Sequence, residues 1–536
     1  MSSATPPATP PAAPSGGDLP STQAWPAWTA SAGWVLGALA LWLLCTAWAR
    51  PLLLPDEGRY GEVARQMWLG DGLVPMLNGV PFFHKPPLSY WVNMLGLSVF
   101  GAQPFSVRLA PALGAWLMGA ALWLTLRRRA DARVAGISLL VLATTPFFFI
   151  GGQYANHDML VAGTISAAVL SFVRALEPPP ASGPVGRLRW LLLGWACCGL
   201  ALLSKGLIGV VLPALVIGPW LLAQGRWRDV LWLLHPLGLA VFAAVALPWL
   251  WAMQQRYPGF FDYFIVEQHF RRFASRSFNN VQPAWFYLWV LPFLTLPWSP
   301  ALITAWPRVR QALRRPASPS QAETRRWVGL LLWWLVVVLG FFSMPASKLV
   351  GYIMPALLPF CALLALPFTE ADGRAARWLG RVAIGAVLFC LGLIVALAIA
   401  APKSGRDVGQ ALRGLVTPSD LVVLVEQSFN DVVFEARLTQ VPLVATDWTH
   451  PDVLGRDSWR KELADTVRFD AARVRAVMVP VDQLARLVCQ GHRVWLVEGN
   501  HANPRSAGVP GVQAVLKGRN ATLWRAEPRP CPPPAG

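Results

Sequence analysis

Residues 55 to 91, PDEGRYGEVARQMWLGDGLVPMLNGVPFFHKPPLSYW, gather Asp56, Glu57, Arg59, Asp71, His84 and Lys85 in a chain of which only 14% is charged. Charges beside or within a bilayer are costly to desolvate and are usually kept for binding or catalysis. Carboxylates among cations suit two tasks: taking a proton from an acceptor and neutralising a bound anion. Asp56 and Glu57 open a short amphipathic helix, EVARQMWL, where the helix dipole alone favours acids. That blander account covers Glu57 more easily than Asp56, which is a candidate general base or substrate-orienting group.

The remaining candidates are spread along the chain, each with a plainer explanation beside it. Lys85 precedes a Pro-Pro that forbids a regular helix start, and a snorkelling lysine is its bland reading. Asp158, in GGQYANHDML, stands at the entrance of an apolar segment, where a hydroxyl-rich or cationic ligand accounts for it better than lipid does. Lys205 divides a long apolar stretch, LLSKGLIGVV, either as a turn between two spans or inside one long helix. EQHFRRFASRSF carries Glu267, His269, Arg271, Arg272 and Arg276 interleaved with aromatics. Arginine suits bidentate phosphate contacts, whereas a merely solvated basic loop would break the charge bias of its neighbours. SKLVGYIMP adds Lys348 and Tyr352. Together these residues point to an anionic head group at a membrane surface, its apolar tail in the bilayer.

The elements that must position them are transmembrane helices. With 536 residues, 55% of them hydrophobic and 28 Trp, the composition excludes a string of soluble domains. Apolar runs at 31–49, 107–126, 134–151, 159–173, 190–204, 206–223, 230–252, 284–305, 327–343, 350–368 and 378–400 give about 11 spans. A net charge of +18 would suggest nucleic acid in a soluble protein, but here the cations lie in short loops. Loops at 127–133, 174–189, 226–228, 306–326 and 374–381 hold 18 Arg and Lys, which predicts a cytoplasmic N-terminus. The opposite loops, including 50–106 and 253–283, then hold the candidate residues on one outer face. The apolar segment 86–101 is short enough to lie at the interface or re-enter rather than cross.

The two ends differ from the middle. Residues 1–26, rich in Pro, Ala, Ser and Thr, read as a disordered cytoplasmic tail and not a cleavable signal. Residues 27–400 form the membrane domain. Residues 401–528 alternate strand-like runs (LVVLVEQ, VPLVA, RAVMVP, RVWLVEG, ATLWRAE) with helices near 430–438, 457–467 and 481–489. That predicts a small α/β domain with a mostly parallel sheet on the outer face, suited to a structural or acceptor-docking role, before a flexible tail at 529–536. Cys489 and Cys531 could pair in an oxidising compartment.

Six ordered motifs (DEGRY, GDGLVPMLNGVPFFHKPPLSYW, NHDM, LLSKG, EQHFRRF and KLVGYIMP) resemble those of membrane glycosyltransferases that use a polyprenyl-phosphate sugar. The resemblance covers about residues 30 to 370 and extends to the lipid A aminoarabinose transferases and the protein O-mannosyltransferase superfamily. It implies a GT-C fold of about 11 to 13 transmembrane helices with a C-terminal α/β periplasmic domain in a bacterial inner membrane. It further implies Asp56 as the key carboxylate and Asp158 as a residue holding the sugar. Arg59, Lys85, Lys205, Arg272 and Tyr352, joined by Lys348, would bind the lipid-linked phosphate. A divalent metal (zinc, magnesium or manganese) would sit at His84 and His269, with no nucleotide cofactor. Relatives commonly carry glutamate before the lysine of KPPL. His84 stands there in this chain, an imidazole that ligates zinc but removes a negative charge.

On that reading the Lys and Arg cluster stabilises the departing phosphate, and the acceptor is lipid A, another glycan or a protein: an acceptor hydroxyl needs a base such as Asp56, whereas an acceptor phosphate is already ionised and needs only positioning. Single displacement would invert the anomeric centre. A transporter would place its charges near the midplane and repeat its halves, and no repeat is visible. A scaffold would leave the loop charges without purpose.

Overall fold

The computed structural model describes residues 31–177, 183–271, 280–369, 373–455 and 458–530. The expected tail at 1–26, Arg272, Arg276 and Cys531 lie outside the described residues, as does the side chain of His269. Among the described residues, seven helices are long and apolar enough to cross a membrane, or eight when one bent pair counts as a single span.

The helices before the outer domain are α1 (Ala32–Leu44), α2 (Asp56–Leu69), α3 (Leu88–Phe100), α4 (Leu109–Arg129), α5 (Ala132–Ala143), α6 (Pro146–Gly151), α7 (Asp158–Ala175) and α8 (Gly183–Lys205). They continue as α9 (Ile208–Leu222), α10 (Trp227–Leu233), α11 (Pro236–Arg256), α12 (Phe286–Leu294), α13 (Leu302–Ala312), α14 (Pro319–Ser343), α15 (Leu357–Thr369) and α16 (Gly373–Ala400). Two expected spans are not continuous. The 284–305 segment turns by 111° between α12 and α13, where Pro297 and Pro300 interrupt the amide ladder. The 134–151 segment breaks at Thr144 and Thr145 before Pro146. α3, at 13 residues, has the short length expected of a segment that does not cross.

α7 is the centre of the bundle and is buried almost throughout, packing on α4 and α8. Small residues allow this: a Cβ added at Gly163 would collide with the backbone of Gly114 on α4. Thr164 and Ser166 return their hydroxyls to carbonyls one turn back, so the apolar core holds no stranded donor there. The packing fixes the first residue of α7, Asp158, at one end of the bundle.

Between α2 and α3 lies an unexpected hairpin, β1 (Met76–Leu77) and β2 (Val80–Pro81), turned by Asn78 and Gly79, both with positive φ. Beyond Ala400 come α17 (Arg406–Leu415), α18 (Asn430–Ala436), α19 (Trp459–Asp465) and α20 (Ala471–Val477). They flank a six-stranded sheet of order β5-β4-β3-β6-β8-β7. β3 (Leu421–Val425), β4 (Leu443–Thr446), β5 (Met478–Pro480) and β6 (Val494–Gly499) are parallel, while β7 (Val512–Lys517) and β8 (Ala521–Ala526) close the sheet antiparallel. α17 and β7 had no sequence counterpart, and the helix expected at 481–489 is a run of short helical turns.

This domain is docked on the membrane part. Phe434 of α18 enters the apolar cluster of Tyr60, Val63, Met67 and Tyr90, and Val80 joins the cluster of Val444, Leu463 and Val477. Gly58 faces α18 so closely that a Cβ would strike the backbone of Asp431.

Candidate active site at the domain junction

α2 follows Pro55, whose missing N–H costs nothing at a helix start. Its first two residues part company. Glu57 is fully buried and accepts bonds from Arg50, Arg108 and the backbone amides of Leu53 and Ala155. Burial pushes its carboxyl up, but Arg108 and Arg50 outweigh it and hold the pKa to about 2. Glu57 thus ties α2 to the head of α4 and to the loop before α7, a stronger role than the dipole contact expected of it. Asp56 remains partly exposed and pairs with Arg59 at 2.8 Å.

Arg59 is held between two carboxylates. Its Nη1 donates to both oxygens of Glu462, at 2.9 and 2.7 Å, and Glu462 lies on α19 of the C-terminal domain. Burial raises the Glu462 carboxyl, while Arg59, His84 and Lys85 pull it below its ordinary value. Sequence reasoning missed Glu462, which carries no local motif. In this arrangement Arg59 positions Asp56 and is already occupied, so the structure does not place it as a ready phosphate ligand.

A second group stands beside the first. Asp158 pairs with the ammonium of Lys205 and accepts from the Asn156 side chain at 3.0 Å. Lys205 ends α8 at Gly206, whose φ of +93° makes the turn, so it lies between two spans and not within one helix. Its ammonium lies 4.4 Å from the ring centre of Tyr352. The two groups meet at His157, whose ring is edge-on to Tyr60 at 4.5 Å and to Tyr90 at 5.1 Å. Burial, and then Lys85, Lys205 and Arg59, hold the His157 imidazole well below its usual pKa, so it is neutral. Both His157 nitrogens, the Tyr90 hydroxyl and Arg59 Nε are buried with no hydrogen-bond partner. Buried polar atoms are rarely left so unless something else binds there. His157 was also missed, although it neighbours Asp158 within NHDM.

The other expected residues fall out differently. Lys85 donates to the His84 carbonyl at 3.2 Å and shares the electrostatic surroundings of His157 and Glu462. Lys348 turns its ammonium onto the carbonyls of Gln282 and Pro345, clamping the 280–283 strand to the 345–348 segment. It is spent on backbone and does not join the cluster. His84 is buried, stacked on Phe82, with the Tyr263 hydroxyl 3.0 Å from its ring nitrogens. Among the described residues no three His, Cys, Asp or Glu side chains converge as metal ligands. Of the two expected ligands, His84 is engaged by the Tyr263 hydroxyl and the side chain of His269 lies outside the described residues. The backbone of His269 lies in a π-helical segment, Asp262–Arg271, which is pinned to the C-terminal domain by Glu267 and Arg468 at 2.8 Å.

Residues 84–251 match the family model described as dolichyl-phosphate-mannose-protein mannosyltransferase. The undecaprenyl phosphate-alpha-4-amino-4-deoxy-L-arabinose arabinosyl transferase of Pseudomonas paraeruginosa is 35% identical over 376 residues, 69% of this chain and 66% of that protein. Its counterpart in Enterobacter sp. is 34% identical over 67% of this chain and 64% of that one, so the match spans just under two thirds of these relatives. The crystal structure of ArnT from Cupriavidus metallidurans bound to undecaprenyl phosphate superposes with a TM-score of 0.77 at 23% identity, over 93% of this chain and all of that one. The apo form of that enzyme gives 0.75. The helical bundle with its α/β cap gives the chain the GT-C membrane fold of those structures, and its sequence is similar to that of the aminoarabinose transferases over about two thirds of its length.

Proposed function

We infer that this protein transfers a sugar from an undecaprenyl or related polyprenyl phosphate to an acceptor at the membrane face that carries the C-terminal domain. Supporting this is His157, buried with neither ring nitrogen hydrogen-bonded and held low in pKa by burial and by Lys85, Lys205 and Arg59, near the Asp56–Arg59 and Asp158–Lys205 pairs. The sugar we favour is 4-amino-4-deoxy-L-arabinose, as the names of the relatives have it, and the acceptor we favour is lipid A. The site faces the periplasm of a bacterial inner membrane, with a cytoplasmic N-terminus. A protein acceptor is the second reading, favoured by the mannosyltransferase family match.

The chemistry follows from the parts. The phosphate leaves the sugar C1 carrying charge that Lys85 and Lys205 offset, most strongly in a site with little water. Lys205 must loosen from Asp158 to do so, and Asp158 is then open to sugar hydroxyls. Arg59, braced by Glu462, aims Asp56 at the acceptor hydroxyl, whose proton it takes. One displacement inverts the anomeric centre.

Mass spectrometry of lipids and glycoproteins from cells with the intact chain and with Asp56→Asn tests this reading. The variant should lose the modified acceptor and accumulate polyprenyl-phosphate sugar, with transfer down by roughly 10²- to 10⁴-fold. An unchanged lipid and glycoprotein profile would overturn it.

A further inference from the structure

The bundle carries a second charged cavity at the end away from the candidate active site. Asp158 and Lys205 mark the site end of α7 and α8, and Arg174 and Arg187 mark the other, about 25 Å along an 18-residue helix. There a cavity of about 980 Å³ opens between α9, α10, α13 and α14. Arg187, Arg226, Arg325 and Arg326 line it, with Trp220 and Leu313 as apolar walls. A smaller cavity of about 200 Å³ adjoins it at Arg129 and Trp327.

The carboxylates in these walls are already neutralised. Glu177 pairs with Arg174 and, at 2.8 Å, with Arg129. Asp229 pairs with Arg187 at 3.1 Å and Arg226 at 2.6 Å. Arg325 and Arg326 are exposed, and among the described residues no carboxylate lies within ion-pair distance of either. The walls therefore hold surplus positive charge in a crevice between helices, not on an open loop. Such crevices suit anionic lipid head groups, with guanidinium forks matched to phosphate oxygens.

We propose that this cavity binds the phosphate of an anionic membrane phospholipid through Arg325 and Arg326. The acyl chains run along the exposed apolar side chains of α9 and α13, Leu215, Leu222 and Ile303 among them. This site is separate from the donor pocket and holds whatever the transferred sugar proves to be.

Native mass spectrometry of the full-length protein in detergent, with phosphatidylglycerol or phosphatidylethanolamine added, tests the assignment. Wild type should retain phosphatidylglycerol in preference to phosphatidylethanolamine. Arg325→Ala with Arg326→Ala should reduce that retention by on the order of tenfold. Gly329→Leu supplies a second variant, because a Cβ there meets nothing within 4 Å and the larger side chain takes up part of the cavity beside Arg325 and Arg326. It should lose the lipid as well while melting like wild type. Arg374→Ala with Arg377→Ala, exposed arginines outside the cavity lining, should retain it. Equal retention of the two lipids, or undiminished binding in both cavity variants, overturns the proposal. Displacement by millimolar inorganic phosphate would also overturn it, by assigning the site to free phosphate.

Discussion

At the scale of single residues, adjacent carboxylates do different work because their surroundings differ. Glu57 is sealed among two arginines and two amides, whereas Asp56 keeps access to solvent through a single pair with Arg59. Replacing Glu57 with glutamine leaves Arg50 and Arg108 buried without their counter-charge. We expect a loss of about 3 kcal/mol, read as a lower melting temperature in detergent, with the specific activity of the folded fraction retained. The Glu57 contribution is present above the ordinary carboxylate value of 4.5 and should fade only as pH falls from there toward about 2. Sequence distinguished the two acids only by a weak dipole argument, since Arg108 lies 51 positions away. Lys348 shows the converse: its motif suggested a ligand, but the nearest partners are carbonyls that no pattern of side chains reveals.

At the scale of elements, the junction of α2 with α18 turns on Asp431. It is fully buried, with Oδ2 accepting from the Gly405 amide at 2.6 Å and Oδ1 without a partner. Burial lifts its carboxyl from 3.8 to about 7. Between those values the folded state holds a proton that the unfolded state lacks, so the junction is firmest at the acid end and weakens as pH rises through 7. Wild type should melt lower at pH 8 than at pH 6, and Asp431→Asn should flatten that difference. Equal slopes in the two proteins would remove Asp431 from the account. The apolar runs of the bundle were legible element by element, because a helix in lipid must be both long and apolar. The bend between α12 and α13 and the break before Pro146 were not, since hydropathy averages over the prolines that cause them. The Asn78-Gly79 turn was in the sequence as a hairpin signal, though with only two residues in each strand.

At the scale of the whole molecule, the C-terminal domain packs directly against the candidate site. Glu462 braces Arg59, Arg468 holds Glu267, and Phe434 fills the cluster beneath Tyr60. Glu462→Gln should lower the turnover rate by about tenfold with little change in the apparent affinity for donor, because it loosens the aim of Asp56 and not the grip on phosphate. A fall in affinity alone would contradict that role. Of the side chains grouped on one face by loop charge, Asp56 pairs with Arg59, Asp158 pairs with Lys205 beside Tyr352, and Lys85, Lys205 and Arg59 all act on His157. What stayed hidden was every residue whose importance comes from a distant partner, Glu462 above all. Arg59 and Glu462 stand 403 positions apart. Synthesis therefore delivers Asp56 and Arg59 with the first helices, while their brace emerges only after the last span has been made. A half-made copy sits in the bilayer with an unfinished centre, and competence arrives as the closing event of biogenesis.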